Sequence, residues 1–353
     1  MRPVAWRPLL VMIACGVCGY IFEVAAASGH PASARAYVSN EDGESVSVLD
    51  TRSATNIATI DVGKRPRGLK LSRDGARLFV AVSGLPKCPP AVPDEECAKL
   101  ERDLQADGIA IVDTASHKVS KVLAAGSDPE QFALSNDDKR LYVANEDTGT
   151  LSVVDVEAGK VIERIKVGQE PEGVALTPNG RWLLVSNESG NSVSVIDTTT
   201  LQVTRTVAVG KRPRDMAFSP DGSVAYVSGE MDASLNRMSV TQDVPAQRLV
   251  QLRDEARPMG VILDSARHRL YLSTGRGGTV AVFDMKDGAK LIKEVPVGKR
   301  PWGMALSADG LHLYTANGPS NDVSVVDTTT LTEVKRVAVG KSPWGIVLGP
   351  VPP

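Results

Sequence analysis

The sequence has few of the residues on which several classes of function depend. Only 4% of its 353 residues are aromatic, and it contains four histidines and four cysteines. No histidine clusters with another or with a cysteine, which argues against a metal site of the usual ligand types. The formal net charge of -2 at pH 7 lacks the basic excess of a dedicated nucleic-acid-binding protein. We therefore predict neither a metal site nor a nucleic-acid partner.

Familiar enzyme motifs are missing as well. The chain has no Gly-x-Ser-x-Gly nucleophile elbow and no glycine-rich phosphate loop. We therefore assign no catalytic residue. Whether the chain is an enzyme stays open at this point, with a non-catalytic role favoured.

The N-terminus lacks an apolar run long enough for a membrane span, but its residue order is typical of an export signal. Arg2 and Arg7 precede an apolar stretch over residues 9–22, and three alanines follow at 25–27. This order predicts a signal peptide over residues 1–27 and a periplasmic mature protein without a membrane span. A lipoprotein attached through Cys15 is the alternative. It is disfavoured because the apolar stretch continues past Cys15.

Internal repetition is what the sequence has in abundance. A Val-Gly-x-x-Pro-x-Gly pattern and its variants recur at intervals of about forty residues, with one longer interval. The repeated prolines are Pro66, Pro129, Pro171, Pro213, Pro258, Pro301 and Pro343. Seven prolines predict seven structural units.

The sequence pattern within each unit predicts four strands. An apolar strand follows the proline, then come a turn, a second strand such as residues 141–145, an alternating third strand such as 192–197, and a fourth strand. Four strands in about forty residues are typical of a propeller blade. The chain begins with a second strand and ends with a first strand at residues 343–348, so its two ends should complete one blade. We predict an all-β, seven-bladed β-propeller of antiparallel strands over residues 28–353, and we expect a monomer.

Two units depart from the pattern. Residues 84–107 form an insertion between a second and a third strand, and they contain Cys88 and Cys97. An even pair of cysteines in an exported chain predicts a disulfide that pins this loop. Residues 231–241 carry a third strand without the usual Val-Asp ending.

One face of a propeller collects the loops before the first strands and the hairpins after the second strands, around the mouth of the central channel. The residues beside the prolines there form our predicted ligand or partner face: Arg65, Arg67, Glu130, Glu172, Arg212, Arg214, Arg257, Arg300, Trp302 and Trp344. Arginine beside tryptophan could hold a planar anion through paired hydrogen bonds and stacking. The alternative is a solvated loop face crossed by salt bridges. Carboxylates further out, such as Glu146 and Glu188, are interpreted as solvated turn residues rather than Ca²⁺ ligands.

Several segments resemble a known family. Residues 37–40 and 142–145 look like the YVTN repeat, and residues 128–135, 170–173 and 317–323 are similar to the YncE-like propellers associated with pyrroloquinoline-quinone-dependent alcohol catabolism. The resemblance implies a periplasmic, non-catalytic binding or scaffold protein. Its partner would be a quinoprotein dehydrogenase or that enzyme's cytochrome. No cofactor is predicted, although pyrroloquinoline quinone or haem are possible ligands.

Two other functions stay open because related propellers differ in activity. The first is an enzyme or cofactor carrier, lactonase-like or haem-binding, that uses the channel mouth. It predicts a carboxyl group of perturbed pKa at Glu130 or Glu172. The second is a DNA-binding periplasmic propeller, which the net negative charge disfavours.

Overall fold

A computed structural model of the chain describes residues 34–87, 96 and 99–351. The predicted signal peptide, Cys88 and Cys97 lie outside the described residues, so the signal peptide and the disulfide stay predictions. Among the described residues, no helix is long and apolar enough to cross a membrane.

The described residues form twenty-eight short strands and five 3₁₀ turns. The strands are β1 (Ala34–Asn40), β2 (Ser45–Asp50), β3 (Thr55–Asp61), β4 (Leu69–Leu71), β5 (Arg77–Val82), β6 (Gly108–Asp113), β7 (Lys118–Leu123), β8 (Pro129–Leu134), β9 (Arg140–Asn145), β10 (Thr150–Asp155), β11 (Lys160–Lys166), β12 (Pro171–Leu176), β13 (Trp182–Asn187), β14 (Ser192–Asp197), β15 (Gln202–Ala208), β16 (Pro213–Phe218), β17 (Val224–Gly229), β18 (Ser234–Ser239), β19 (Gln247–Gln251), β20 (Val261–Asp264), β21 (Arg269–Ser273), β22 (Thr279–Asp284), β23 (Lys290–Pro296), β24 (Pro301–Leu306), β25 (His312–Asn317), β26 (Asp322–Asp327), β27 (Thr332–Ala338) and β28 (Pro343–Pro350). The 3₁₀ turns are Glu41–Gly43, Leu104–Ala106, Glu146–Thr148, Gly275–Gly277 and Gly318–Ser320.

The strands pair into seven four-stranded antiparallel sheets, which confirms the predicted seven-bladed propeller. Six blades use four consecutive strands, beginning with β4, β8, β12, β16, β20 and β24. The seventh has the order β28-β1-β2-β3, so the last strand completes the blade that the first strands begin. Tyr37 of β1 lies opposite Val347 of β28 in this pairing. The ends therefore close the ring as the sequence predicted.

Alternation along the strands explains how the blades pack. In β14, Val193 and Val195 pack towards the blade of β16–β19, while Ile196 packs towards the blade of β8–β11. Successive side chains of a strand point to opposite faces, so each blade contributes to two interfaces. No blade can bury both faces alone, and the core is a ring of seven interfaces rather than one central cluster.

The glycine of the Val-Gly pair is explained by a close approach to an asparagine. A Cβ atom on Gly168 would lie 2.4 Å from Cγ of Asn187. The Asn187 side chain accepts a hydrogen bond from the Gly168 N–H (2.9 Å) and donates to Ser192 and Ser194. The motif therefore ties the loop before Pro171 to the second and third strands of the blade that Pro171 begins.

A serine in the second strand joins neighbouring blades next to the channel. The Ser186 hydroxyl accepts from the Gly173 N–H and donates to the Arg214 carbonyl of the next blade, both at 2.8 Å. Three other serines make the same pair of bonds: Ser39, Ser228 and Ser273. We call these four residues the serine clasps. They fix the backbone of Arg67, Arg214, Met259 and Trp302, the residues that follow the prolines.

The two irregular units keep the ring geometry. The insertion lies between β5 and β6, as predicted, and Arg102 within it donates to Ser127 at 2.8 Å and to Asp107 at 3.0 Å. Despite its unusual sequence, β18 pairs with both β17 and β19. The departures therefore change loops rather than blades.

Candidate functional site

The channel mouth is a cavity of about 440 Å³ at the end of the ring where the second strands finish. The structure brings eight of the ten predicted residues together there: Arg65, Arg67, Glu130, Arg212, Arg214, Arg300, Trp302 and Trp344. Glu172 lies just below, in a narrow space of about 30 Å³ that Arg214 and both tryptophans also line.

Arg257 lies apart from the other predicted residues. It lines a separate surface cleft with Asp232 and Asp254, and its guanidinium donates to the Asp254 carbonyl at 3.0 Å. The irregular connection between β19 and β20 turns the side chain away from the channel. Its assignment to the channel mouth is therefore corrected.

Arg67 is one of two buried arginines that organise the mouth. Only 2% of the residue is exposed. Its guanidinium lies 2.5 Å from Asp128, 3.1 Å from Glu130 and 3.9 Å from Glu146. These acids come from the next blade, so the group binds neighbouring blades together.

Arg214 forms the second buried group. It contacts Glu172 closely and lies 2.7 Å from both Glu188 and Glu230. Arg212, which is more exposed, contacts Glu188 as well. The salt bridges between loops that the sequence suggested are present, but they are buried rather than solvated.

Two of the three carboxyl groups beside Arg67, those of Glu130 and Asp128, have pKa values shifted in opposite directions. Burial raises the pKa of Glu130 well above 4.5, and the Arg67 charge opposes this only in part. Burial also disfavours ionisation of Asp128, but Arg67 and the Ser83 hydroxyl outweigh it and lower that pKa. The pKa of Glu172 is raised by burial too. These shifts agree with the prediction that the enzyme interpretation made for Glu130 and Glu172.

The opposite side of the mouth is an aromatic wall. The rings of Trp302 and Trp344 lie 5.3 Å apart and are tilted by 37°. Two arginines face Trp302, Arg300 at 4.8 Å and Arg214 at 5.8 Å from the ring centre. The mouth thus combines an apolar surface, buried acids and guanidinium groups.

Sequence reasoning identified the acidic residues on the hairpins but interpreted them as solvated turn residues, and it missed their pairing with the arginines of the mouth. Glu41, Glu146, Glu188 and Glu230 each follow a second strand directly, a repeated position that an alignment of the blades would have shown. Carboxylate oxygens of Glu146, Glu170 and Glu188 lie within 4.8 Å of one another, a spacing that could hold a cation. Glu188 is buried rather than solvated, contrary to its interpretation as a turn residue.

Two family models match parts of the chain. One is described as the cytochrome D1 heme domain and matches residues 100–240. The other is described as lactonase, 7-bladed beta-propeller, and matches residues 197–347. Each covers less than half of the chain. A search of curated proteins finds no match.

Solved structures of similar shape are numerous. The periplasmic gluconolactonase PpgL of Pseudomonas aeruginosa is 18% identical with a TM-score of 0.72, over 90% of this chain and 99% of that one. A Bacteroides fragilis protein described as a proposed 6-phosphogluconolactonase is 15% identical with a TM-score of 0.73, over 91% and 99%. Hydrazine synthase of Kuenenia stuttgartiensis is 21% identical with a TM-score of 0.70, over 83% and 92%. At these identities the likeness shows the fold.

The chain is a seven-bladed β-propeller. The lactonase match contradicts the expectation of a non-catalytic binding or scaffold protein and favours the enzyme alternative.

Proposed function

We propose that this propeller is a lactonase that hydrolyses a cyclic ester at its channel mouth. The observation that carries the proposal is Glu130, a buried carboxyl group of raised pKa that lines the cavity beside Arg67. A carboxylate of raised pKa is, in its ionised form, a stronger base than an ordinary glutamate. The lactonase match and the gluconolactonase neighbours support the same class of reaction.

The reaction assigns a role to each group. Ionised Glu130 takes a proton from water as the water oxygen bonds to the lactone carbonyl carbon. A guanidinium of the mouth donates hydrogen bonds to the oxyanion that develops. The ring C–O bond then breaks, Glu130 returns the proton to the departing ring oxygen, and the product is a hydroxy acid.

The aromatic wall and the size of the cavity suit a sugar-sized substrate. Tryptophan rings pack against the C–H faces of pyranose rings, and Trp302 and Trp344 present such a surface opposite the acids. A volume of about 440 Å³ lies within the range of small-molecule sites.

The proposal is tested by following acid release from glucono-δ-lactone at constant pH, with the uncatalysed rate subtracted. We expect Glu130→Gln to lower kcat at least about a hundredfold, because general acid–base catalysis contributes about that much. Glu157→Gln, at an exposed residue, is the matched control and should keep full activity. A wild-type rate equal to the uncatalysed rate on aldonolactones, or full activity of Glu130→Gln, would refute the assignment.

The cellular setting is part of the proposal. The YncE-like segments support a periplasmic location beside pyrroloquinoline-quinone-dependent oxidation, with a quinoprotein dehydrogenase or its cytochrome as a protein partner. Oxidation of a cyclic hemiacetal gives a lactone, which a hydrolase in the same compartment could consume. The mass of the exported chain tests the location, because it should begin near Ser28.

The haem-domain match makes haem a further candidate ligand. The residues that line the mouth, as far as the structure describes them, include no histidine. A haem or a quinone there would rest on Trp302 and Trp344 with its carboxylates near Arg300. An absorption spectrum of the purified protein tests for either group.

A further inference from the structure

Arg300 differs from the other cationic side chains of the channel mouth in its contacts with carboxylates. Arg65, Arg67, Lys87, Arg212 and Arg214 each contact at least one carboxylate. Arg300 has no hydrogen-bond or ion-pair partner for its side chain in the described part of the chain, although it is half-buried. A buried charge without a partner is costly unless another group compensates it.

The repeat explains why this arginine lacks a partner. In two blades the glutamate after the second strand pairs with the arginine before the next proline: Glu41 with Arg65 at 3.0 Å, and Glu188 with Arg212. Arg300 also precedes a repeat proline, but the matching position of its preceding blade is Gly275, which has no side chain. The carboxylate that the repeat supplies elsewhere is therefore missing opposite Arg300.

The surroundings of Arg300 favour a negative charge. Its guanidinium lies over the Trp302 ring at 4.8 Å, and stacking on one face leaves the in-plane N–H groups available for hydrogen bonds. Burial lowers its pKa, and the positive charges of Arg276 and Arg214 lower it further. The nearby acids are engaged, since Glu230 contacts Arg214 and Glu41 contacts Arg65 and Lys87.

We propose that Arg300, stacked on Trp302, is an anion subsite, and that the substrate carries a carboxylate or phosphate group that occupies it. This inference deepens the proposed lactonase function. It rests on that function, because the bound anion is a substrate only if the protein is a lactonase. Among the arginines predicted for the planar-anion site, it selects Arg300, because the guanidinium groups of Arg67 and Arg214 are already surrounded by carboxylates. The lactone ring would lie along the tryptophans, with its charged group at the edge of the mouth.

Intrinsic fluorescence measures this binding without any turnover. Beyond the predicted signal peptide the chain has three tryptophans, Trp182, Trp302 and Trp344, so two of three report on the mouth. The probes are inorganic phosphate, glucuronate and the neutral sugar methyl glucoside. We expect saturable changes with at least one anion, and a much weaker response to methyl glucoside.

Arg300→Gln should weaken anion binding about ten- to hundredfold, the usual effect of losing hydrogen bonds to a charged group. Arg276→Gln should have a smaller effect in the same direction. Arg181→Gln is the matched control, because Arg181 also stacks on a tryptophan, Trp182, at 5.3 Å, but at the far end of its blade. An unchanged melting temperature of each variant separates lost binding from lost folding.

Each outcome decides between alternatives. Preference for phosphate or for glucuronate identifies the charged group of the ligand. Equal anion affinity in Arg300→Gln and wild type, or no saturable binding of either anion, overturns the proposal even if neutral lactones are hydrolysed. Arg300-dependent anion binding without lactone hydrolysis would support the subsite and count against the lactonase function.

Discussion

At the residue scale, three acids surround each of two buried guanidinium groups. Full ionisation would leave excess negative charge in a desolvated place around Arg67, which is costly. The pKa of Glu130 is raised accordingly, because burial disfavours the ionised form of this carboxyl group more than the Arg67 charge favours it. Asp128, with its lowered pKa, keeps the charge that pairs with Arg67. The same burial thus raises the pKa of the acid to which the proposed lactonase reaction assigns proton transfer.

This arrangement predicts a pH dependence of stability. The folded protein holds the Glu130 proton more tightly than the unfolded chain, so the contribution of this group falls as pH rises above about 4.5 towards the folded-state pKa. Glu130→Gln cannot ionise and should escape this loss. The melting temperature of the variant, relative to wild type, should therefore rise steadily with pH over that range.

The control for this titration is Glu157→Gln. Glu157 is exposed in the turn before β11, so its replacement should shift the melting temperature equally at every pH. A Glu130→Gln difference that stays constant with pH, or that falls as pH rises, would show that folding does not raise the pKa of Glu130.

At the scale of strands, the serine clasps connect the repeat to the site. Ser186 holds the Arg214 carbonyl, and Ser273 holds that of Trp302. Ala144 occupies the equivalent position in the blade of β8–β11, so the backbone accepts an alanine there. Ser186→Ala therefore tests the two hydrogen bonds rather than packing.

We expect Ser186→Ala to lower the free energy of unfolding by about 1–3 kcal/mol, because it leaves a buried N–H and a buried carbonyl without a partner. Chemical denaturation gives this number. Ser53→Ala, which removes an exposed turn hydroxyl bonded to Asp50, should cost clearly less. Equal losses in the two variants would mean that the clasp adds nothing beyond an ordinary surface bond.

Prediction from sequence succeeded where information repeats along the chain. The spacing of the prolines and the alternation within strands were enough for seven blades, the closing blade and the face that carries Arg67 and Trp302. Prediction failed where one blade meets the next. The position of Arg257 depends on an irregular connection, and the pairing of Arg214 with Glu188 joins residues of different blades. A repeat shows which positions are equivalent, but it does not show how far a side chain reaches across an interface.

At the scale of the whole molecule, the mouth is one end of a constricted channel. Arg214, Trp302 and Trp344 line both the mouth and the narrow space below it. Asp215 lines that narrow space and also a cavity of about 760 Å³ at the opposite end. The constriction makes the mouth a pocket with a floor, so a ligand would enter and leave by the same side.

The mouth exists only if the ring is closed, and closure depends on β28. Removing residues 343–353 would leave β1 as an open strand edge, expose the side chains that β28 covers and delete Trp344 from the wall. We expect the truncated chain to aggregate or to lose cooperative thermal unfolding. A circular permutant that places residues 343–350 before β1, joined to it by a short turn, keeps the same sheet with an unbroken local chain, and it should restore one cooperative transition. If the truncated chain melts as wild type does, or if the permutant fails to fold, closure by β28 is not what holds the ring together.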